Sequence, residues 1–586
     1  MRFLLHRGII GLLAGLLSSI ALSVTITPSW VGVLLGLLFG GCYSLFFRPT
    51  PRAYGDSLMV ATGLGIVLWM LFTILLLPLL SGTPPQWTAT EMRNHFPALI
   101  GWCIYGTGLG LLVQVGNDLS LRYLGTEVAQ PVPQQATKTH VVILGGGFAG
   151  VTTAMQCEKL FAGDPSIELT VVSDTNALLF TPMLAEVAGG SLEATHISSP
   201  LRTSLHRTQI VKGQVQEICL EKKQVTLASH DQFSPEKTIR YDHLILALGS
   251  VSNYLGLKNI EQVAFDFKSL AHAIRIRNHV IDLLERADRE TDEATRQKLL
   301  TFIIAGGGFA GVELAGSLND FIRGSLIYYP TIHVQDIKVI VVHPRERILP
   351  ELSASLAQYA LERMQNRGVT FKLNTRVLDA DSNLVRLNPS EELPSATLIW
   401  TAGVRPHPLV EKLSLEHNSR GAICVDKHLA VPGASQLWAL GDCAAVIDAK
   451  TGQAVPPTAQ FALREAKTLA QNIYASEHKQ ALKAFHFDAL GTLCVVGYQT
   501  ACAEIKGLCF SGFFAWLMWR GIYLAKLPGL ERKLRVLSDW LIEIIFARDI
   551  VQTLDVDETY SPAKIQPSMD QPVQQAQLHP SSYPQE

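Results

Sequence analysis

Two stretches of this chain repeat one local plan: HVVILGGGFAGVTTA at residues 140–154 and TFIIAGGGFAGVELAG at residues 301–316. Each runs an apolar, β-branched stretch into a glycine-rich turn and then into an apolar helical pattern, the context that a GxGxxG fingerprint requires. In such a unit the first glycine permits the tight turn, the second lets backbone approach a pyrophosphate, and the third lets helix pack on strand. The helix N-terminus then offers N–H groups and partial positive charge to phosphate. A chain that writes the unit twice is constrained to an α/β fold with two Rossmann-like dinucleotide-binding domains. The pair suggests two dinucleotides held face to face, one a flavin and one a nicotinamide. Two purely structural glycine turns are the alternative.

The 586 residues leave room for three or four domains. Their balance, 48% hydrophobic and 17% charged, is lopsided for an enzyme in water. A net charge of −2 gives no nucleic-acid footprint. Nine cysteines without CxxC or zinc-like spacing fit buried thiols in a reducing compartment. The hydrophobic excess lies at the front: residues 8–26, 30–47, 57–80 and 98–115 hold no charge, and each is long enough to cross a bilayer. A cleaved signal peptide could explain only the first. The expectation is an all-α four-helix transmembrane region over residues 1–126. Gly11/Gly15, Gly36/Gly40 and Gly106/Gly110 stand at the GxxxG spacing that lets helices approach closely. Without charge, the bundle reads as an anchor and not as an ion path. Arg2 and Arg7, Arg48 and Arg52, and Arg122 and Lys138 flank alternate ends of the spans. That pattern predicts a multi-pass inner-membrane protein with both chain ends and the catalytic domain on the cytoplasmic side.

A polar, proline-bearing linker follows at 127–139. Thereafter α/β patterning resumes. Residues 169–174 read as a second strand, where a carboxylate for ribose hydroxyls is expected. Residues 241–250, 338–346, 397–404 and 436–446 read as further buried strands, the last ending in Gly-Asp. Residues 320–329 and 353–367 read as helical or connecting segments.

Taken with FTPML (180–184), ALGS (247–250), GVELAG (311–316), WTAGV (400–404), LGDCA (440–444) and PPTAQ (456–460), the chain resembles the type II NADH:quinone oxidoreductases. These are two-dinucleotide-binding-domain flavoproteins, and the resemblance covers residues 140 to 554. Disulfide reductases share the architecture but carry a redox cysteine pair near the flavin, whereas the helix after the first fingerprint has only Cys157. Sulfide:quinone reductases usually have a degraded nicotinamide fingerprint, and here it is intact. The resemblance implies an FAD domain in two parts, 140–262 and 396–480, around an NAD(P)H domain at 263–395. A C-terminal membrane-interface region at 481–554 and a Pro/Gln/Ser-rich, disordered tail at 555–586 follow.

By the same resemblance Gly145, Gly147, Phe148, Ala149 and Gly150 cradle the FAD pyrophosphate. Ser173, Asp174, Thr181, Pro182, Ala247, Gly249, Gly441, Asp442, Ala459 and Gln460 complete the FAD site. Asp442, at a strand end before a helix, would bond the ribityl chain or cap that helix. Gly306, Gly308, Phe309, Ala310, Gly311, Glu313, His343, Ala402 and Gly403 form the NAD(P)H site. Two ribose-reading positions depart from the family: Ser173 replaces an acid, with Asp174 one residue on, and His343 replaces another, followed by Arg345 and Arg347. A carboxylate at 343 would favour a 2′-hydroxyl and repel a 2′-phosphate. NADH is therefore the expected donor, with NADPH left open.

Glu313 matches a catalytic acid near nicotinamide and flavin; complementing the helix dipole is its alternative role. Ser317 stands where the family often has a further glutamate, so no two-acid arrangement is expected. At the quinone end Gln460 is retained, while Arg464 replaces the second glutamine of AQxAxQ. The alternative there is an amphipathic helix with Arg464 and Glu465 facing solvent. Residues 512–540 mix aromatic and aliphatic residues with Arg520, Lys526, Arg532, Lys533 and Arg535. They read as an amphipathic helical segment at the membrane interface, basic side among lipid headgroups; a fifth span would have to bury those charges. The implied reaction passes hydride from NAD(P)H to FAD and two electrons to a membrane quinone, without proton pumping. The implied partners are quinone and lipid bilayer, with a homodimer allowed. A flavoprotein reductase with another acceptor, and a nucleotide-binding redox sensor without turnover, are the competing readings.

Overall fold

The computed structural model describes residues 2–25, 29–46, 54–80, 82, 95–123, 138–228, 237–488 and 490–553. The predicted tail at 555–586, and the linker at 127–139 but for its last two residues, lie outside them. Two compact units emerge: Met1–Thr139 with Phe161–Glu168 and Pro528–Leu534, and the remainder.

In the first unit all four apolar stretches are helical. They form Arg2–Ser18 with Ile20–Thr25, Ser29–Phe46, Tyr54–Leu68 continuing through a π-helical Trp69–Leu76 to Leu80, and Phe96–Tyr123. The GxxxG glycines are used as close contacts. A Cβ on Gly15 would lie 2.9 Å from Gly40 Cα, and one on Gly106 would lie 2.9 Å from Thr62 Cα. Polar groups turn inward: the Tyr43 hydroxyl donates to the Ser57 carbonyl (3.1 Å), Ser57 Oγ to the Gly110 carbonyl (2.8 Å), and the Tyr105 hydroxyl to the Gly36 carbonyl (2.8 Å). Leu13, Leu17, Leu34, Leu38, Ile66, Val67 and Ile104 turn outward. Hydroxyls inside and leucines outside invert the arrangement that water selects. Ser57–Leu76 and Phe96–Leu119 are long and apolar enough to cross a membrane, while Gly8–Ser23 and Trp30–Ser44 are apolar but shorter.

The second unit holds the two nucleotide folds. One five-stranded sheet has the order Leu437–Ala439, His243–Leu246, Thr139–Leu144, Ile167–Ser173, Gln209–Lys212. The other is parallel throughout, in the order Phe265–Asp266, Thr397–Trp400, Thr301–Ala305, Lys338–Val342, Val369–Lys372. Their central strands are almost wholly buried and read as continuous Val/Ile/Leu runs, as parallel sheets require. Each central strand leads into a fingerprint turn and then a helix, Phe148–Leu160 or Phe309–Ser325.

Residues 320–329 are helical and connecting, as expected: they begin inside the helix Phe309–Ser325, which passes into a 3₁₀ turn at Leu326–Tyr328. Two expectations are corrected. The strand Leu437–Ala439 ends in a single 3₁₀ turn, Gly441–Cys443, and not in a helix; the next helix starts only at Ala459. The C-terminal region is not simply helical. It opens with an antiparallel sheet, Gly491–Gly497, Thr500–Ile505 and Leu508–Gly512, before the helices Phe513–Lys526 and Leu530–Ile545, which Pro528-Gly529 separates. Trp519, Val536 and Trp540 of those helices share a core with Met183, Val312 and Phe321.

Candidate active site

At the first fingerprint Gly145 adopts φ +120°, and a Cβ there would run into the Ala247 carbonyl; Gly150 is closed in the same way by the Gly145 carbonyl. Gly147 differs: a Cβ on it would meet nothing within 4 Å. The loop is thus shut on its inner side and open above its second glycine, where the helix Phe148–Leu160 begins. The residues fit a dinucleotide pyrophosphate. Ala149 approaches Gly441, itself at φ +71°, so the 441–442 turn meets the start of the fingerprint helix. Asp442 Oδ2 accepts from Ser250 Oγ at 2.6 Å, and Lys268 Nζ donates to the same hydroxyl at 2.5 Å. Asp442 is thereby fixed as an acceptor by a Ser–Lys relay that the chain's local patterns did not reveal. Gly249 (φ +69°) lies between Ala247 and that serine. Thr181 and Pro182 form a 3₁₀ turn after Phe180, whose ring meets Phe148 (5.7 Å) and Tyr523 (6.1 Å).

The second fingerprint repeats this geometry. Gly306 has φ +125°, Gly311 is closed by the Gly306 carbonyl, and Gly308 caps the helix with open space above it. Phe309 and Ala310 form the first turn of that helix, and Ala402 and Gly403 follow the neighbouring strand Thr397–Trp400. The two positions expected to read ribose also correspond in structure. Ser173 packs beneath Gly146 and His343 beneath Gly307, where the glycine's missing side chain makes room for each. His343 is 8% exposed; its Nδ1 accepts from the Gly307 N–H at 3.0 Å, while Nε2 has no partner. Burial, then the nearby Arg345, push its pKa down, against a raising contribution from the Arg347 backbone. Asp174 is exposed beside this position's counterpart in the first fold.

Glu313 enters a cluster that sequence patterns did not disclose. Its Oε1 accepts from the Val495 N–H (3.3 Å), and burial pushes its pKa up to about 8. A second acid faces it after all: Glu186 of the short helix Leu184–Ala188, pushed up to about 7 by burial. The expectation of a lone acid is corrected because the partner comes from another element. Position 317 could not supply one, since the Gly189 backbone packs directly on Ser317. Arg520, read as a headgroup contact, is instead 7% exposed and donates to Glu543 at 2.8 Å.

Gln460 lies at the start of the helix Ala459–Glu477, where its Oε1 accepts from the Leu490 N–H at 3.4 Å. Arg464 is exposed and lies over the Phe487 ring at 5.1 Å. Its charge reaches Lys526, whose pKa burial and Arg464 both lower. Glu465 does not face solvent: it is 2% exposed and accepts from the Gly441 N–H at 2.7 Å. The helix Phe513–Lys526 therefore spans both ends of the site, with Trp519 and Tyr523 toward Glu313 and Lys526 toward Arg464. Its buried residues are Ala515, Trp516, Trp519 and Arg520, one side of a helix at the i, i+3, i+4 spacing.

Comparison with known proteins bears on both halves. The family model "Pyridine nucleotide-disulphide oxidoreductase" matches residues 139–466, and "NDH2 C-terminal domain" matches 490–549. A probable NADH dehydrogenase of Dictyostelium discoideum is 32% identical over 70% of this chain and 90% of its own length. The type II NADH:quinone oxidoreductase Ndh of Mycobacterium tuberculosis is 30% identical over 75% of this chain and 95% of its own length. Among solved structures, NDH2 from Plasmodium falciparum in complex with NADH shares the fold with a TM-score of 0.65 at 19% identity, covering 71% of this chain and 100% of that one.

Proposed function

The chain belongs to the type II NADH:quinone oxidoreductase family, and from that premise we propose that it oxidises NADH through FAD and reduces a membrane quinone. The observation that carries this reading is the pair of glycine turns, each closed within and open above its second glycine. Bound FAD supplies the redox chemistry, as hydride acceptor and two-electron donor. Gly145, Gly147 and Gly150 would hold its pyrophosphate, and Asp442, fixed by Ser250, one of its hydroxyls. Gly306, Gly308 and Gly311 would hold the nicotinamide dinucleotide, with His343 toward its ribose. Glu313 is read as the acid beside the reacting groups. Gln460, with Arg464 and Lys526 nearby, is read as the quinone end, where the amide can donate to a quinone carbonyl.

The NDH2 C-terminal match favours quinone over a soluble acceptor or a silent sensor. The inverted polarity of the first unit supports four spans as a membrane anchor, and the flanking Arg and Lys residues support cytoplasmic chain ends. Uncharged spans offer no route for pumped protons. Stopped-flow mixing of purified enzyme with NADH, then with a quinone, tests the assignment. Flavin bleaching followed by quinone-dependent recovery is expected, and recovery indifferent to quinone would overturn it.

A further inference from the structure

The helices Leu184–Ala188 and Phe309–Ser325 bring Glu186 and Glu313 to one cavity of about 20 Å³, room for about one water. Asp320, Trp519, Arg520, Glu543 and Arg548 also border it. Two donors on its wall have no hydrogen-bond partner: Trp519 Nε1 and Arg520 Nε, in residues 1% and 7% exposed. The Trp519 N–H leans toward the Glu313 carboxyl without reaching hydrogen-bond geometry. Unsatisfied buried donors around a polar space of this size are the setting in which an internal water is held.

The charges are unevenly shared. Glu543 takes two guanidiniums, Arg520 Nη2 and Arg548 Nη2, each at 2.8 Å. Arg548 is further held by the carbonyls of Gly189 (2.9 Å) and Ser317 (3.2 Å). Glu186 receives the Trp540 indole N–H (3.2 Å), a longer approach from Arg520 (3.8 Å) and the more distant charge of Arg548. Glu313 has the Val495 N–H and faces Cys494 and Tyr523, neither of them cationic. Asp320 is turned toward Arg367 and the Tyr498 N–H. Glu543 therefore takes both arginines at short range, while Glu186 and Glu313 are left with few partners of opposite charge.

We propose that Glu186 and Glu313, bridged by a water in this cavity, form a proton-transfer pair that delivers one proton per turnover to the quinone. The proposal rests on the reading of Glu313 as the acid at the reacting site. The balance requires such a proton: NADH + H⁺ + quinone gives NAD⁺ + quinol. One nicotinamide C–H bond breaks and two O–H bonds form, and the hydride's two electrons and proton account for all but one proton. Glu313 gives up its carboxyl proton, Glu186 restores it through the water, and solvent restores Glu186. Both carboxyls have raised pKa values, about 7 and about 8, with burial the first cause of each. The pair can therefore load and unload near neutral pH.

Two readouts on the detergent-purified holoenzyme test this. An infrared pH titration is expected to show the protonated carboxyls of Glu186, Glu313 and Glu465 ionising near neutrality; Glu186→Gln should remove one and shift that of Glu313, since its neighbour's charge is gone, and leave that of Glu465 in place. With a pH indicator in the stopped flow, Glu186→Gln should slow proton uptake and quinone reduction together by about tenfold or more. Flavin reduction by NADH should slow much less, and a small permeant weak acid should restore part of the loss. The amide keeps an acceptor for Trp540, and Glu186→Asp, which keeps a carboxyl, should fall between variant and parent. Parent-like proton uptake in Glu186→Gln, with Glu313→Gln slow, would overturn the pair while sparing the reading of Glu313. Parent rates in both variants would overturn both.

Discussion

Glu465 lies on the buried side of the helix Ala459–Glu477, where burial raises its pKa to about 7 despite the Gly441 N–H it accepts. Between the ordinary carboxyl value and that raised one, the folded protein holds a proton that the unfolded chain has released. This contribution to stability is therefore full below about pH 4.5 and lost as pH rises toward about 7. Glu465→Gln keeps an oxygen for Gly441 and cannot ionise. Its melting temperature relative to the parent should rise between about pH 5 and about pH 8, read by scanning fluorimetry; a flat difference would show that the carboxyl is not protonated there. His343 supports a different test. With Nδ1 accepting, its proton is on Nε2, and its lowered pKa keeps the ring neutral. A neutral ring can donate to a ribose hydroxyl but brings no charge to a 2′-phosphate, which leaves the exposed Arg345 to do so. His343→Glu should lower kcat/KM for NADPH relative to NADH by about tenfold, roughly 1.4 kcal/mol of discrimination. An unchanged ratio would remove His343 from ribose recognition.

The helix Phe513–Lys526 has two unlike faces: Trp516, Trp519 and Arg520 are buried, while Phe513, Phe514 and Leu517 are exposed. Arg520 also lies over the Trp516 ring at 4.0 Å and the Trp540 ring at 4.5 Å. Replacing it by methionine would keep much of the packing but leave Glu543 short of one partner and Glu186 without its nearer cation. Breaking a buried pair from one side costs about 3–5 kcal/mol. Arg520→Met should show a loss of that order in chemical unfolding, whereas Phe514→Ser should change stability little. The difference explains what the sequence could disclose. Both fingerprint turns were legible because their requirement is local, a glycine where φ is +120° or +125° and a carbonyl blocks any Cβ. The GxxxG contacts were legible for the same steric reason. The fate of Arg520 was not, because its partner Glu543 lies 23 residues away, and Trp540 reaches Glu186 across 354 residues. A basic residue among aromatics looks the same in a window whether it meets lipid headgroups or a buried carboxylate. The sheet at 491–512 was hidden likewise, its short strands being masked by the apolar composition around them.

At the scale of the molecule, exposed apolar side chains gather on the outside of the N-terminal helices and on the outer side of the last helix. On the latter Leu537, Leu541, Ile542 and Ile545 are exposed, with Phe546 just beyond. Either surface would hold the protein at a membrane by burial alone, at about 1.5–3 kcal/mol for each side chain fully removed from water. Reporter fusions should give a cytoplasmic signal at residues 47 and 115 and a periplasmic one at residues 27 and 88; the opposite pattern would reverse the orientation. Deleting residues 1–126 removes one surface, and Leu541→Ser with Ile545→Ser and Phe546→Ser blunts the other. Each change alone should leave the enzyme in the membrane fraction, because the remaining surface is untouched. Combined, they should release a yellow protein into the soluble fraction that still oxidises NADH with a short-chain quinone, since neither change reaches the fingerprint turns. Release by the deletion alone would assign all of the anchoring to the N-terminal helices. Retention of the combined variant would mean that a third surface binds lipid.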